Sequence, residues 1–294
     1  MLSILIPTYN YDCTDLLKQL VKQSLSSVLP IEIMVCDDAS THITQKKIVS
    51  EYCLRHNLIY IENNNNLGRT ATRNKLAQKA QYDWLLFLDS DVLIENVNFV
   101  QDYIQLLQEQ YPVISGGTTY STTKPKGKEL RWKYGVYREA KNAKQRMKNP
   151  HFIISQNLLI KKEVFLEINP LESRRYGLDN LFSYQLQHRN YTVLHSDNPI
   201  VHYGLEDNKV FLKKSIEAIE TLIHFEKEKR MGEGFTSLQK SYLKLKRTKT
   251  KGLFIFIVSP FISIIKKNLI GSNPSLFLFD LYRLNKYIKL KSNA

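Results

Sequence analysis

Short apolar runs and segments of helical period alternate along the N-terminal part of the chain. Residues 2–7 (LSILIP) form a continuous apolar run closed by proline, the pattern of a buried strand. Residues 15–25 then place Leu16, Leu17, Leu20, Val21 and Leu25 at helical spacing. A second strand over 31–40 ends in acids, and an amphipathic helix follows over 43–56. A third strand at 58–63 leads into the polar loop NNNNLG, a helix over 69–80 and a fourth strand at 84–89. Continuous apolar strands alternating with helices predict an α/β fold with a mostly parallel sheet flanked by helices. Ligands of such sheets bind beyond the carboxyl ends of the strands. Three of those ends are polar here: PTYN (7–10), DDAS (37–40) and DSD (89–91).

Beyond residue 95 the alternation is less regular. The pattern predicts a helix over 99–110, a strand over 112–120 and a polar, basic, aromatic loop over 121–150. It then predicts a strand over 152–160, a helix over 178–190, a strand over 191–196 and an extended segment over 198–204. An amphipathic helix over 208–229 closes the series.

Charge changes the picture at the C-terminal end. The chain carries a net charge of +14, and the last 55 residues hold twelve Lys or Arg against one acid, Asp280. Eleven of the fourteen net charges therefore lie in that stretch. A basic block of this kind faces an anionic surface, membrane or nucleic acid. Here the lysines alternate with Phe, Ile and Leu, which favours a membrane surface and no nucleic acid. The longest apolar stretch, 253–265, spans thirteen residues with Ser and Pro inside it, so it is expected to lie on a membrane instead of crossing one. No targeting segment is visible at the start. Three cysteines without a C-x-x-C spacing are expected to be reduced thiols in the cytoplasm.

The strand ends carry the candidate chemistry. Asp89 and Asp91, two apart, are expected to converge and to offer hard oxygen ligands to Mg²⁺ or Mn²⁺; the plainer reading is a polar turn. Asp37 and Asp38 can accept bonds from a base or ribose, or can cap a turn with Ser40. Arg69 and Arg73 at a helix start suit a diphosphate, or are simply solvated. Asp179 at a helix start is a general base or a cap, and His202 is a metal ligand or a core histidine.

Taken together, ILIPTYN, VCDDAS, NNLGRTATRN, LFLDSDVLI, YGLDNLFSYQL and DNPIVHYG resemble, in order, the motifs of glycosyltransferase family 2. The resemblance covers residues 1–225. It implies the GT-A fold, a Rossmann-like mostly parallel sheet, here with a basic helical C-terminal extension, and inverting transfer of the bacterial surface-polysaccharide type. It implies that Pro7, Thr8 and Tyr9 wall the nucleotide and that Asp38 contacts the base. Arg69, Arg73 and Asp89 then belong to the donor-nucleotide site. Asp89, Asp91 and His202 hold Mn²⁺ or Mg²⁺, and Asp179 is the catalytic base. The family's usual Glu before that Asp is Leu178 here. The implied partners are a nucleotide-diphosphate sugar, UDP-linked, and a saccharide or polyprenyl-linked saccharide acceptor.

Residues 1–95 then form a nucleotide-binding half, 96–225 an acceptor-binding half and 226–294 a basic amphipathic region on the inner face of the cell membrane. Trp132, Tyr134 and Tyr137, among basic residues, are candidates for the acceptor wall. Two other readings compete: a catalytically silent GT-A protein that binds a sugar nucleotide, prompted by Leu178, and a basic nucleic-acid-binding protein, prompted by the charge.

Overall fold

The computed structural model describes residues 1–170 and 175–292. Its chain opens with β1 (Leu2–Thr8), α1 (Thr14–Ser24), β2 (Ile31–Asp37), α2 (Ile43–Arg55), β3 (Ile59–Glu62), α3 (Arg69–Lys79) and β4 (Trp84–Leu88). Every residue of β1 is buried, as the continuous apolar run requires of a strand covered on both faces. Next come β5 (Val92–Leu93), α4 (Phe99–Leu106), β6 (Val113–Ser115), β7 (Thr118–Tyr120), α5 (Glu129–Tyr134), a π-helical turn (Gly135–Glu139) and α6 (Ala143–Arg146). They lead to β8 (Asn157–Lys161), α7 (Lys162–Ile168), α8 (Asp179–His188), β9 (Val193–His195) and β10 (Ile200–His202).

Seven strands form the main sheet in the order β3-β2-β1-β4-β8-β6-β9, and β5-β10-β7 form a second, small sheet. Strands β3, β2, β1 and β4 are parallel neighbours, while β8 runs antiparallel to both β4 and β6. The expected mostly parallel α/β sheet is present. Helices of the first half cover it through Leu16, Leu17, Leu20, Val49, Phe99 and Tyr103.

Three segments differ from the sequence pattern. The strand expected over 112–120 is two strands, β6 and β7, which lie in different sheets. Gly116 sits at the break, where a Cβ would stand 2.1 Å from the Tyr103 hydroxyl oxygen and 2.5 Å from Asn157 Nδ2. The loop expected over 121–150 contains α5, the π-turn and α6. The strand expected from 152 begins only at Asn157.

Arg146 fixes the end of that segment. Its guanidinium donates to the carbonyls of Ser115, Ser196 and Lys141 and stands 2.8 Å from His195 Nδ1. His195 Nε2 in turn lies 2.9 Å from the Pro150 carbonyl. Burial, together with the Arg146 charge, pushes the imidazole down to about 4, against a smaller upward pull from the Pro150 carbonyl.

By packing the chain forms two compact units. The first comprises Met1–Ser121, the segment from Ala140 through α7, and Gln185–Gly204, so it holds both sheets. The second comprises Thr122–Glu139, Arg175–Tyr184 and the described chain from Leu205 on. It contains α5, the start of α8, α9 (Asn208–Lys227), α10 (Ser237–Arg247), α11 (Lys251–Val258), a 3₁₀ turn (Ser259–Phe261), α12 (Ile262–Leu269) and α13 (Leu276–Ser292). Its core is helical: Leu178, Ile219, Leu222 and Tyr287 form one cluster, and Phe211, Val258, Leu269 and Phe279 another. The basic C-terminal extension is thus helical, as expected. Its apolar segment is longer than the thirteen residues read from sequence: Lys251–Leu269 runs 19 residues, long and apolar enough to cross a membrane by length and composition.

Candidate active site

Three strand ends of the first unit build the site. At the end of β1, Pro7 and Thr8 are buried and Tyr9 is exposed. The Thr8 carbonyl accepts the Asp38 amide at 2.8 Å, and the Thr8 hydroxyl donates to the Tyr11 carbonyl at 3.1 Å. Asn10, in the left-handed region at φ 53°, accepts the backbone amides of Thr41 and His42 on its side-chain oxygen. The first two loops are therefore tied together by side chains from both.

Asp37 and Asp38 have separate tasks. Asp37 Oδ1 accepts the Ser40 amide, three residues on, at 2.7 Å and so closes a local side-chain-to-backbone loop. Asp38 is buried, and its Oδ1 accepts Asn63 Nδ2 and the Leu67 amide, both at 2.8 Å. Its Oδ2 accepts the Gly68 amide at 2.8 Å. Gly68 lies at φ 87° just before α3, a backbone shape that favours glycine. Asp38 thus holds the NNLG loop in place. A carboxylate offers about four acceptor sites, and these bonds use three of them.

Asp89 and Asp91 do not share a strand. Residues 89–91 are a turn between β4 and β5, so the alternation that would converge two side chains in extended chain does not apply. Arg73 answers the charge of Asp89: its Nη2 donates to Asp89 Oδ1 at 2.5 Å and to the Ser155 carbonyl at 2.8 Å. Arg69 Nη1 reaches Asp89 Oδ2 at 3.3 Å. Burial alone would raise the Asp89 carboxyl; the charges of Arg73 and Arg69, with the hydrogen bond from Arg73, outweigh it and hold the group below the usual carboxylate range. The Arg73 side chain is 6% exposed and that of Arg69 44%, so Arg73 is the structural partner and Arg69 the one that reaches solvent.

Asp91 turns to the second sheet. Pairing of β10 with β5 places His202 opposite Val92, and His202 Nε2 lies 3.3 Å from Asp91 Oδ2. The Asp91 carbonyl accepts the amides of Tyr203 and Gly204 at 3.0 and 3.2 Å. A Cβ at Gly204 would fall 1.8 Å from Asp91 Oδ2, so only glycine leaves this carboxylate its place. Among the described residues no group of three or more His, Cys, Asp or Glu side chains forms a ready-made cage. Asp91 and His202 stand together as a pair, and Asp89 is engaged by the arginines. One carboxylate oxygen and one imidazole nitrogen would supply two of the ligands of a divalent ion.

In the second unit, Asp179 is the first residue of α8, where a carboxylate is favoured by the helix amides. Gly177, at φ 88°, lets this turn approach α9, since a Cβ there would stand 2.8 Å from the Ala218 Cβ. Leu178 is buried among Leu181, Ile219 and Leu222. Tyr134 is also used in packing, its ring 5.5 Å from that of Phe211 and 5.7 Å from that of Phe279. Trp132 is half-buried, and Tyr137 is 64% exposed.

Sequence reasoning missed Ser155 and Gly204. Ser155 is a neutral residue that serves Arg73 through its hydroxyl and its carbonyl. Gly204 matters by what it lacks.

With this geometry in place, residues 3–168 match the model of Glycosyl transferase family 2, more than half of the chain. The chain belongs to glycosyltransferase family 2. An uncharacterized glycosyltransferase of Haemophilus influenzae is 36% identical over 93 residues, 31% of this chain and 29% of that protein. The poly(ribitol-phosphate) beta-N-acetylglucosaminyltransferase TarS of Staphylococcus aureus is 33% identical over 112 residues, 37% of this chain and 19% of its own length. The matches thus span less than a third of these curated relatives. Among solved structures, the mannosyltransferase PcManGT from Pyrobaculum calidifontis, in complex with GDP-Man and Mn²⁺, superposes with a TM-score of 0.63 at 16% identity, over 99% of this chain and 86% of that one. An N-terminal fragment of S. aureus TarS in complex with UDP-GlcNAc gives a TM-score of 0.54 at 18% identity, over 99% and 90%. These likenesses show the fold, which is GT-A.

Proposed function

We propose that this family 2 member transfers a sugar, with inversion, from a nucleotide-diphosphate donor to a hydroxyl of a saccharide or lipid-linked saccharide, in cell-surface polysaccharide synthesis on the cytoplasmic side. The observation that carries this reading is the pairing of Asp91 with His202 and of Asp89 with Arg73 and Arg69, the two aspartates lying just after β4. Complexes of fold neighbours with GDP-Man and Mn²⁺ and with UDP-GlcNAc support a nucleotide-sugar donor. The buried, free state of Cys13, Cys36 and Cys53 agrees with a reducing compartment.

Asp91 and His202 hold Mn²⁺ or Mg²⁺ in this reading. Such an ion would supply positive charge against the diphosphate leaving group. Arg69, the more exposed guanidinium, contacts the same phosphates. Pro7, Thr8 and Tyr9 line the nucleotide, and the remaining acceptor site of Asp38 faces its base. Asp179 takes the proton of the acceptor hydroxyl as its oxygen bonds to the anomeric carbon. The bond from that carbon to the phosphate oxygen breaks, and its electron pair leaves with the nucleoside diphosphate. Attack from the opposite face inverts the anomeric centre. Trp132 and Tyr137 are candidates for stacking on acceptor sugars.

The test is a thermal-shift panel of UDP, GDP, dTDP and CMP, each with Mn²⁺ and with EDTA. A ligand of the folded state raises the midpoint. One diphosphate is expected to do so only with metal, and Asp91→Ala is expected to abolish the shift. No shift with any nucleotide would sink the donor assignment. A second reading, a silent sugar-nucleotide binder, follows from Leu178, which sits in the core at the position where the family usually has Glu. Transfer or donor hydrolysis that falls about 10²–10⁴-fold in Asp179→Asn excludes it. Donor binding with no turnover in the wild type would establish it.

A further inference from the structure

The segment Lys251–Leu269 is apolar on two faces. One face is accounted for: Val258, Ile265 and Leu269 are buried against Phe211, Phe279 and Tyr282 within the second unit. The other face is not. Leu253, Phe256, Ile257, Pro260, Phe261 and Ile264 recur at i, i+3, i+4, i+7, i+8 and i+11, the spacing of a single helix stripe, and all are exposed. Phe256 is 79% exposed and Ile264 67%. Large side chains in such a row are too costly to leave in water without a purpose.

Charge identifies what covers them. From residue 234 to 279 the chain contains eight Lys or Arg and no Asp or Glu. Lys249 and Lys251 precede the stripe, and Lys266 and Lys267 end it. A second copy of this chain would bring an equally basic, acid-free face against the first, so self-association through the stripe is opposed by charge. An anionic lipid surface offers hydrocarbon to the stripe and headgroup charge to the lysines at once.

Geometry sets the orientation. The segment is long enough to cross a bilayer. Crossing would require Val258, Ile265 and Leu269 to leave their buried places, and Lys266 and Lys267 to enter the hydrocarbon. Lying flat leaves the packed face where it is. We infer that α11, the 3₁₀ turn and α12 form an in-plane anchor for an anionic bilayer, with the six stripe residues in the acyl boundary and the flanking lysines at the headgroups. This does not depend on which donor or acceptor the protein uses.

The experiment is flotation of the purified full chain with phosphatidylcholine vesicles, with and without phosphatidylglycerol. Alkaline carbonate extraction of the bound fraction follows. The wild type is expected to float with the anionic vesicles and to be released by carbonate. Phe256→Ser/Phe261→Ser/Ile264→Ser is expected to remain in solution with an unchanged melting midpoint. Lys266→Gln/Lys267→Gln is expected to bind the anionic vesicles more weakly, by roughly fivefold per lysine removed. Three outcomes overturn the inference. The wild type stays with the soluble fraction; or it resists carbonate, which means it spans; or it forms oligomers that the triple serine variant dissolves, without binding vesicles.

Discussion

At the carboxyl end of β4 the first unit buries charge, and along α11 and α12 the second unit exposes hydrocarbon. Both depart from the ordinary sorting of polar and apolar groups. The difference lies in where the compensation comes from. Asp89 finds it inside the chain, in Arg69 and in Arg73, which Ser155 holds in turn. The stripe from Leu253 to Ile264 finds none among the described residues of its own unit, and its compensation has to come from outside. A buried charge with partners is a stable part of the fold that can orient a ligand. An exposed apolar row with basic flanks is an unfinished interface.

Breaking the internal compensation has the largest expected effect. Among the described residues Arg73→Ala leaves Asp89 paired with the more exposed Arg69, and removing one partner of a buried pair costs about 3–5 kcal/mol. Urea unfolding measures it. Together with Asp89→Asn the loss is expected to be smaller than the sum of the two; a loss under about 1 kcal/mol for Arg73→Ala alone would show that the pair is not what holds the turn.

The two faces of the Lys251–Leu269 segment give the next contrast. Leu269→Ala, on the packed face, is expected to cost about 2–5 kcal/mol. Phe256→Ser, on the exposed face, is expected to stay within about 0.5 kcal/mol in the absence of lipid. Equal losses at both positions would mean that the stripe is covered in solution.

Acid titration sharpens the comparison further. His195 is held neutral in the folded protein down to about 4, whereas the unfolded chain protonates it near the ordinary value. Its contribution is therefore complete above about pH 6.5 and is lost as the pH falls toward 4, with a slope of up to about 1.4 kcal/mol per pH unit. His195→Gln is expected to remove that slope from denaturation curves measured between those limits. Asp89 acts lower. Its depressed carboxyl stabilises the fold above the unfolded carboxylate range and loses that effect as the pH falls through its folded value.

Much of the first unit was legible because its strands are continuous apolar runs, and β1 to β4 with their helices follow the predicted order. Direction was not legible: an apolar run such as β8 reads the same whether it pairs parallel or antiparallel. Gly116 marks the break between β6 and β7, but only the Tyr103 hydroxyl beside it shows that it must. The same holds at the site. Asp91, His202 and Arg73 were visible as chemistry-bearing residues. That Asp89 and Asp91 face different partners follows from a turn that a strand-period reading cannot contain. Asp38 as the holder of Leu67 and Gly68 depends on a contact across 29 residues of sequence. The packing roles of Tyr134 and Leu178 depend on α9 and α13, well downstream.

The acid-free span from 234 to 279 also contains no histidine. Nothing in it changes charge between about pH 5 and pH 8, where carboxylates are already ionised and lysines still are. Its attraction to an anionic surface therefore stays constant as acidity varies over that range. Ionic strength remains as a control, because the field of exposed lysines fades over about 8 Å at physiological salt. The inferred in-plane anchor would thus be tuned by salt and by lipid composition.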